Sequence, residues 1–378
     1  MRKAADVSQE GSNRPSLDEF IDAGLYDPGA IKAEQRRELL EHFLNRGFTV
    51  EQIVEAAGRA SPLTDIGALI ARTPPVRVVL AELAAAAGVA VDEMVEVRRA
   101  LGFPVPADAV AMVPQSFADD FALFQFACSQ FGRDATLGFA RVLGATVATL
   151  MEAGRELFAG SLHGTDATEL EIMQANEVAY EAWLALHDVV GHLMREWASR
   201  DVWFETSLIT GGRLEVAIAF VDLLDSTGWT AGQSPADHIR AVSLFESLAS
   251  DLAVAEGGRV VKFIGDEAMI VSSDPVATVN IAVRLCQAVA AEPSLPLARG
   301  AVGYGQVTAR GGDYFGDTVN IVARATKAAG PGTVVVTAEL VSYLNASQWT
   351  LRDLGPVILR GVTEPIDLWE AIQLDENC

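Results

Sequence analysis

The sequence changes character once, at Thr210-Gly211-Gly212, and this change limits the folds that the chain can adopt. Before it, apolar residues recur at helical spacing and prolines divide the chain into short helices. After it, apolar runs of strand length alternate with helical segments. The sequence therefore predicts a multidomain protein: an all-α domain over 1–204, with a linker helix at about 166–201, and then an α+β domain over 205–378.

The second domain shows a definite order of elements. Strands are expected over 214–222, 259–264, 267–273 and 297–305, and helices over 235–256, 275–291 and 317–330. This β-α-β-β-α-β order is that of the ferredoxin-like unit. Further strands at TVVVT and near the C-terminus extend it.

Two aspartates stand where strands of this unit end. Asp222 closes the first strand and Asp266 lies in the turn between the second and third. The first and third strands are antiparallel neighbours in a ferredoxin-like sheet, so the two carboxylates should meet at one edge. Carboxylates that close repel unless a cation lies between them, and Mg²⁺ or Mn²⁺ in phosphoryl-transfer sites binds such oxygen ligands. Each alone has a structural alternative, Asp222 as a helix N-cap and Asp266 as a turn residue.

Four other polar residues each have an ordinary structural explanation, and only their joint occurrence indicates a functional site. Lys262 interrupts an apolar strand, where a charge is unfavourable without a partner, although a lysine at a strand edge also reaches water. Asn320 and Arg324 lie four residues apart and share one helix face, as many solvated pairs do. Asp313 precedes the same helix in a glycine-rich loop.

Four segments together resemble the class III nucleotidyl cyclase catalytic domain. They are FVDLLDST (220–227), KFIGDEAMIV (262–271), GGDYFGDTVNIVAR (311–324) and the tail LRGVTEPIDLWEA (359–371). The resemblance implies an adenylate cyclase that converts ATP to 3′,5′-cyclic AMP and pyrophosphate. It also implies a head-to-tail homodimer with its sites at the interface and two divalent cations, Mg²⁺ or Mn²⁺, in each site.

The resemblance also implies a role for each of these residues. One protomer supplies the metal ligands Asp222 and Asp266, and its partner supplies the adenine-binding Lys262 and Asp313, the ribose-orienting Asn320 and Arg324, which stabilises the transition state. A lysine donor and an aspartate acceptor match the ring nitrogen and exocyclic amine of adenine. Guanine reverses that pattern, so the pair should favour ATP over GTP.

The chain departs from the family pattern after the first strand. The family often has Gly-Phe-Thr or Gly-Ser-Thr there, with backbone N–H groups that bind phosphates at a helix start, whereas this chain has Asp225-Ser226-Thr227. Thr227 takes the substrate-binding position. The carboxylate of Asp225 is unfavourable beside a triphosphate unless it points away or helps to bind metal, so we expect weak or strongly metal-dependent activity.

Two related functions fit less well. A diguanylate cyclase shares the ferredoxin-like palm, but Gly265-Asp266-Glu267 lacks the Gly-Gly-Asp-Glu-Phe signature. A cyclase domain that signals only by dimerising, without catalysis, is disfavoured because all six catalytic positions are filled.

Composition restricts the partners and the compartment. With 28 basic and 51 acidic residues the formal net charge is −23, which disfavours nucleic acid and anionic membranes as partners. The three cysteines are too widely spaced for a disulfide framework or a metal knuckle. The chain shows neither the apolar core of a secretion signal nor a run long enough to span a membrane. We expect a cytoplasmic protein without a transmembrane segment, with peripheral membrane association left open.

The helical half resembles, on weaker motifs, the regulatory domain of mycobacterial acid-sensing cyclases, some of which respond to fatty acids. The resemblance implies a regulatory role with a proton or a fatty acid as effector. Histidine is the side chain whose ordinary pKa lies in the range of an acid switch, which makes His187 and His192 candidates, although surface histidines without a role are common. Five phenylalanines either line a lipid pocket or form a core: Phe117, Phe121, Phe124, Phe126 and Phe131.

Two further patterns lie in this half. Trp183, Leu186, Val190, Leu193 and Trp197 step by three and four, which suits either a short coiled-coil seam between two copies or a helix packed on its own domain. Segment 80–103 has the form of a helix-turn-helix, the DNA-reading unit. Its acidic balance disfavours that alternative.

Overall fold

The computed structural model describes residues 17–58, 63–65, 77–104, 112–162, 166–199, 213–224 and 234–374. The chain divides into two compact units, Met1–Trp197 and Ala198–Cys378. The first is built mainly of helices and the second of a large sheet with helices. The expected fold class, an all-α region followed by an α+β domain, is confirmed.

The described elements of the first unit are eight helices, two short strands and a 3₁₀ turn. They are α1 (Leu17–Asp22), α2 (Ala33–Asn45), α3 (Val50–Ala57), the turn Leu63–Asp65, β1 (Arg77–Val79), α4 (Leu80–Ala87), α5 (Val91–Ala100), β2 (Met112–Pro114), α6 (Phe117–Phe131), α7 (Arg133–Leu162) and α8 (Glu169–Ala198). β1 and β2 pair antiparallel.

The described residues of the first unit form two apolar cores. One lies between α1, α2, α3 and the start of α8, where Phe20, Phe43 and Met173 are fully buried. The other lies between α4, α5, α6 and α7. Phe117, Phe121 and Phe124 belong to this second core, whereas Phe126 and Phe131 are 62% and 73% exposed. Three of the five phenylalanines are therefore core residues.

The start of α8 is fixed to the first core. Thr168 and Glu171 form a reciprocal cap, since each backbone N–H donates to the other's side chain at 2.8 and 3.3 Å. Arg36 donates two hydrogen bonds of 2.7 Å to Glu169, and Arg46 pairs with Glu177 at 3.1 Å. We call the pairs Arg36–Glu169 and Arg46–Glu177 the α8 clamp.

The helix that would read DNA in a helix-turn-helix is packed on its own unit. Met94 and Val97 of α5 are buried, and Glu93 and Glu96 both pair with Arg133 at the start of α7. The polar face of α5 thus carries acidic residues, two of which are already paired with Arg133. This gives the DNA-binding alternative no support.

The second unit is built on a mixed eight-stranded sheet. Its described elements are β3 (Arg213–Leu223), α9 (Pro235–Ala255), β4 (Arg259–Ile264), β5 (Glu267–Ser272), α10 (Pro275–Ala291), β6 (Ala298–Arg310), β7 (Asp313–Phe315), α11 (Asp317–Ala325), a 3₁₀ turn (Thr326–Ala328), β8 (Val334–Thr337), α12 (Ala338–Val341), β9 (Trp349–Val357) and β10 (Ile366–Gln373). The strand order is β4-β5-β3-β6-β8-β10-β9, and β7 pairs with β6. Strands β3 to β6 have the expected ferredoxin-like arrangement, and β8, β10 and β9 extend the sheet beyond β6.

The sheet is covered on both faces because its strands alternate. Along β3, Ala219 and Val221 face the core under α9 and α10, while Ile218 and Phe220 face the core under α11. Asp222, the next even-numbered residue, therefore lies on the α11 face. In the part of the chain that is described, no helix is long and apolar enough to cross a lipid bilayer.

Candidate active site

Three charged side chains lie in register at one edge of the sheet. Asp222 on β3 is opposite Glu267 on β5 and opposite Arg299 on β6. Directly paired residues on neighbouring strands point to the same face. The N–H of Leu223 donates to the carbonyl of Asp266 at 3.2 Å, so the Asp266 turn adjoins the end of β3, as the topology predicts. We call Asp222, Asp266 and Glu267 the acidic edge.

The acidic edge carries more negative charge than its neighbours neutralise. Arg299 donates to Oδ2 of Asp222 from Nη2 at 3.0 Å and from Nε at 3.3 Å. The pKa of Glu267 is raised to about 7, first by burial and then by the charges of Asp222 and Asp266, against the opposing charges of Lys327 and Arg299. A divalent cation would relieve this repulsion.

The donor chemistry of the acidic edge fits a hard cation. Carboxylate oxygens are the ligands that Mg²⁺ and Mn²⁺ prefer. No cluster of three or more His, Cys, Asp or Glu arranged for a metal occurs among the residues described. Two aspartates, with water and substrate phosphate completing the shell, are the pattern of Mg²⁺ sites that bind nucleotides.

Glu267 and Arg299 are two site residues that sequence patterns did not predict. Arg299 interrupts an apolar strand as Lys262 does, and this signal was available. Glu267 adjoins Asp266 in the turn motif. What the sequence did not show was the register that places both beside Asp222.

Lys262 has the charged partner that its apolar strand demands. Its ammonium group pairs with Oδ2 of Asp313, the first residue of β7. The other oxygen of Asp313 accepts the N–H of Tyr314 at 2.8 Å. Lys262 and Asp313, which we call the base-reading pair after their expected role, are 39% and 26% exposed, so both remain accessible to a ligand.

Asn320 and Arg324 project from the outer side of α11. The inner side buries Val322 and Ala325 against the sheet. Helix α11 can lie this close to β6 because two residues of β6, Gly303 and Gly305, have no side chain. A Cβ at Gly303 would overlap Val322, and one at Gly305 would lie 2.8 Å from Oγ1 of Thr318.

The partners of the two α11 residues differ. Nη1 of Arg324 donates to the carbonyl of Gly361 at 3.0 Å, between β9 and β10, while Asn320 is exposed. A guanidinium has five N–H donors, so this hydrogen bond leaves Arg324 capacity for a ligand.

The described contacts join the expected site residues in separate groups. Asp222 is paired with Arg299 next to Asp266, Lys262 is paired with Asp313, and Arg324 is held by Gly361. Thr227, with Asp225, lies outside the described residues. The roles of all these residues stay predictions.

Comparisons with known proteins agree with this architecture. A family model for the adenylate cyclase regulatory domain matches residues 15–197. A second, for the adenylate and guanylate cyclase catalytic domain, matches residues 296–370.

Three relatives match over much of their length. An uncharacterized protein of Mycobacterium tuberculosis (strain H37Rv) is 31% identical over 90% of this chain and 92% of its own. An adenylate cyclase of Streptomyces coelicolor is 30% identical over 68% of each chain. A pH-sensitive adenylate cyclase of M. tuberculosis (strain CDC 1551) is 26% identical over 94% of this chain and 92% of its own. These identities and the ordered pair of domain matches show that the chain belongs to the adenylate cyclase family, with a regulatory domain ahead of the catalytic domain.

Proposed function

We propose that this protein converts ATP to 3′,5′-cyclic AMP and pyrophosphate in a homodimer whose sites form between two catalytic domains. The observation that carries the proposal is the acidic edge, where Asp222 and the Asp266 turn adjoin and where burial, together with these two charges, raises the pKa of Glu267 to about 7. Excess negative charge at one edge of the sheet suits a site for metal-bound triphosphate.

Asp222 and Asp266 would hold the divalent cations, Mg²⁺ or Mn²⁺. When bound, such ions lower the pKa of the ribose 3′-hydroxyl and neutralise the triphosphate. The 3′-oxygen attacks the α-phosphorus in line and pyrophosphate leaves. Arg299, already at this edge, adds a positive charge beside the phosphates.

The base-reading pair would select adenine. The ammonium group of Lys262 donates to a ring nitrogen, and Asp313 accepts from the exocyclic amine. Both groups are left unpaired against guanine, which disfavours GTP. Asn320 would orient the ribose, Arg324 would stabilise charge in the transition state, and Thr227 would contact the substrate.

The homodimer is proposed on the resemblance to class III cyclases, in which two protomers share each site. We propose that the acidic edge of one protomer faces the base-reading pair and the α11 residues of its partner. The isolated protomer would then have incomplete sites and little activity. Two residues of the predicted seam in the second half of α8, Leu193 and Trp197, are exposed, which suits a helix that pairs with the partner's copy.

We propose that residues 1–204 regulate residues 205–378 through α8, in a cytoplasmic protein. The pH-sensitive relative supports a proton as effector, and His187 and His192 are its candidates. His187 is 91% exposed, with Nδ1 3.5 Å from Oδ1 of Asp188, and His192 is exposed. A fatty acid effector would need a pocket other than the core that contains Phe117, Phe121 and Phe124.

The decisive experiment incubates purified full-length protein with ATP or GTP and with Mg²⁺ or Mn²⁺. We expect cyclic AMP from ATP with either metal and little cyclic GMP, measured by chromatography. Asp222→Ala should abolish product because it removes a metal ligand, whereas Asp251→Ala, on α9, serves as the matched control. Equal product from the Asp222 variant and the wild type would contradict the proposal.

A further inference from the structure

β4 contains an irregularity that changes which side chains share a face. Val260 is opposite Ile270 and Lys262 is opposite Met269, so Val261 is an extra residue, a β-bulge. Arg259 and Lys262 are three positions apart, and in a regular strand they would point to opposite faces. With the bulge, they are opposite Val271 and Met269, which both face the core under α11. The bulge therefore places both cations on one face of the sheet.

The β6–β7 hairpin meets both of these cations. Its turn contains Gly311 and Gly312, both with positive φ, and it places Asp313 and Tyr314 opposite Arg310 and Ala309. Asp313 pairs with Lys262, and the adjacent Tyr314 contacts Arg259. The hairpin is thus attached to β4 at two consecutive residues.

The contact between Arg259 and Tyr314 has two components. Nη2 of Arg259 donates to the hydroxyl oxygen of Tyr314 at 3.1 Å, and the Arg259 Cζ lies 5.5 Å from the centre of the Tyr314 ring. The ring also packs against the core under α11. Tyr314 is therefore fixed more firmly than an exposed hairpin residue would be, and it fixes Asp313 through the chain.

We infer that Arg259 and Tyr314 are positioning residues for the base-reading pair and that they govern the discrimination between ATP and GTP. The inference rests on the proposed function. To select adenine over guanine by hydrogen bonds, the ammonium group of Lys262 and the carboxylate of Asp313 must be held within about 0.5 Å of their working positions. Lys262 has a flexible side chain and Asp313 begins a three-residue strand, so neither is held in place by its own element alone. The Arg259–Tyr314 contact supplies the missing restraint.

The test measures kcat/KM for ATP and for GTP in purified full-length variants with Mn²⁺. Tyr314→Phe removes one oxygen atom and keeps the ring in the core, and Arg259→Met keeps an apolar side chain of similar length. Each should lower the ATP-to-GTP ratio of kcat/KM by about tenfold, the scale of one charge-assisted hydrogen bond. The double variant should be no worse than Arg259→Met alone, because Arg259→Met removes both components of the contact and Tyr314→Phe removes only the hydrogen bond.

Matched controls separate positioning from general stability. Arg352→Met removes an arginine whose partner is Glu370 on the far strands β9 and β10, and Tyr343→Phe removes a hydroxyl from a tyrosine next to Tyr304. Both controls should keep the wild-type ratio. Melting temperatures are recorded for every variant, and a lower melting temperature with an unchanged ratio in the Arg259 and Tyr314 variants would overturn the inference.

A reference variant distinguishes failure of the inference from failure of the proposed function. Lys262→Met should collapse the ATP-to-GTP ratio if Lys262 reads the base. If it does so while Tyr314→Phe and Arg259→Met keep the ratio, the positioning role is wrong and the base-reading role stands. If Lys262→Met itself leaves the ratio unchanged, the base-reading role is wrong and the inference falls with it.

Discussion

The pKa of Glu267 reflects its burial and the charges of the residues around it. Its carboxyl is partly buried, and burial together with the charges of Asp222 and Asp266 raises its pKa to about 7. A carboxyl with a raised pKa in the folded state takes up a proton on folding. Its contribution to the free energy of unfolding is therefore most favourable below about pH 4.5 and declines as the pH rises to about 7.

We expect Glu267→Gln to stabilise the catalytic domain at pH 8 in EDTA, because the uncharged amide avoids both the burial of a charge and the repulsion from Asp222 and Asp266. The gain should be about 1 kcal/mol, since the group is partly solvated and the full shift overstates it. The gain should disappear near pH 4.5, where wild-type Glu267 is protonated. Thermal unfolding followed by circular dichroism measures it, and an equal gain at both pH values would show that the acidic edge is not its source.

Single residues could be singled out from the sequence where one position carried its own signal. Lys262 was conspicuous because a charge in an apolar strand demands a partner, and the structure supplies Asp313. Glu267 and Arg299 were missed because their importance depends on cross-strand register with Asp222. Register is set by pairing of distant segments, which the spacing within one strand does not encode.

Among the helices and strands, the bounds of α8 were predicted closely from the sequence, whereas the irregularity of β4 was not predicted. The linker helix was expected over about 166–201 and spans Glu169–Ala198, because the Thr168–Glu171 cap marks its start. The bulge at Val261 was not foreseen. The run Val260-Val261-Lys262-Phe263 is apolar on both faces apart from Lys262, so it has no alternation from which an extra residue could be recognised.

The α8 clamp leads to a prediction of pH dependence. The hydrogen bonds from Arg36 hold the pKa of Glu169 below its usual value, so this ion pair stabilises above the unfolded-state pKa and is lost as the pH falls through the folded-state value. Glu169→Gln should lower the melting temperature of the helical unit at pH 7 by about 2 °C, and the difference should vanish near pH 3. Glu152→Gln, which affects an exposed pair with Arg155 on α7, should have no effect, and an equal loss in both variants would argue against the clamp.

At the scale of the whole molecule, the proposed sites need two chains. This organisation is testable because one chain supplies the metal ligands of a site and the other chain supplies Arg324. A defect in one of these two sets of residues can therefore be placed on a different chain from a defect in the other. Asp222→Asn and Arg324→Ala each affect a different half of every site, so each homodimer should be nearly inert.

Mixing these two inactive variants should restore activity. Random exchange gives mixed dimers in half of the population, each with one intact site of two, so the mixture should reach about a quarter of wild-type activity. Cyclic AMP formation after subunit exchange measures it. A mixture as inactive as its components, with exchange verified by a tagged chain, would contradict sites shared between protomers.

The bulge in β4 has one more consequence, for solubility. Among the described strands, β4 is the last at one end of the sheet order. At such a position an open row of backbone groups invites pairing with a foreign strand and hence fibril growth. An extra residue breaks the regular spacing that such a strand would have to copy, and the lysine beside it adds charge repulsion. The local distortion that aligns Arg259 with Lys262 therefore also protects concentrated enzyme from edge-to-edge aggregation.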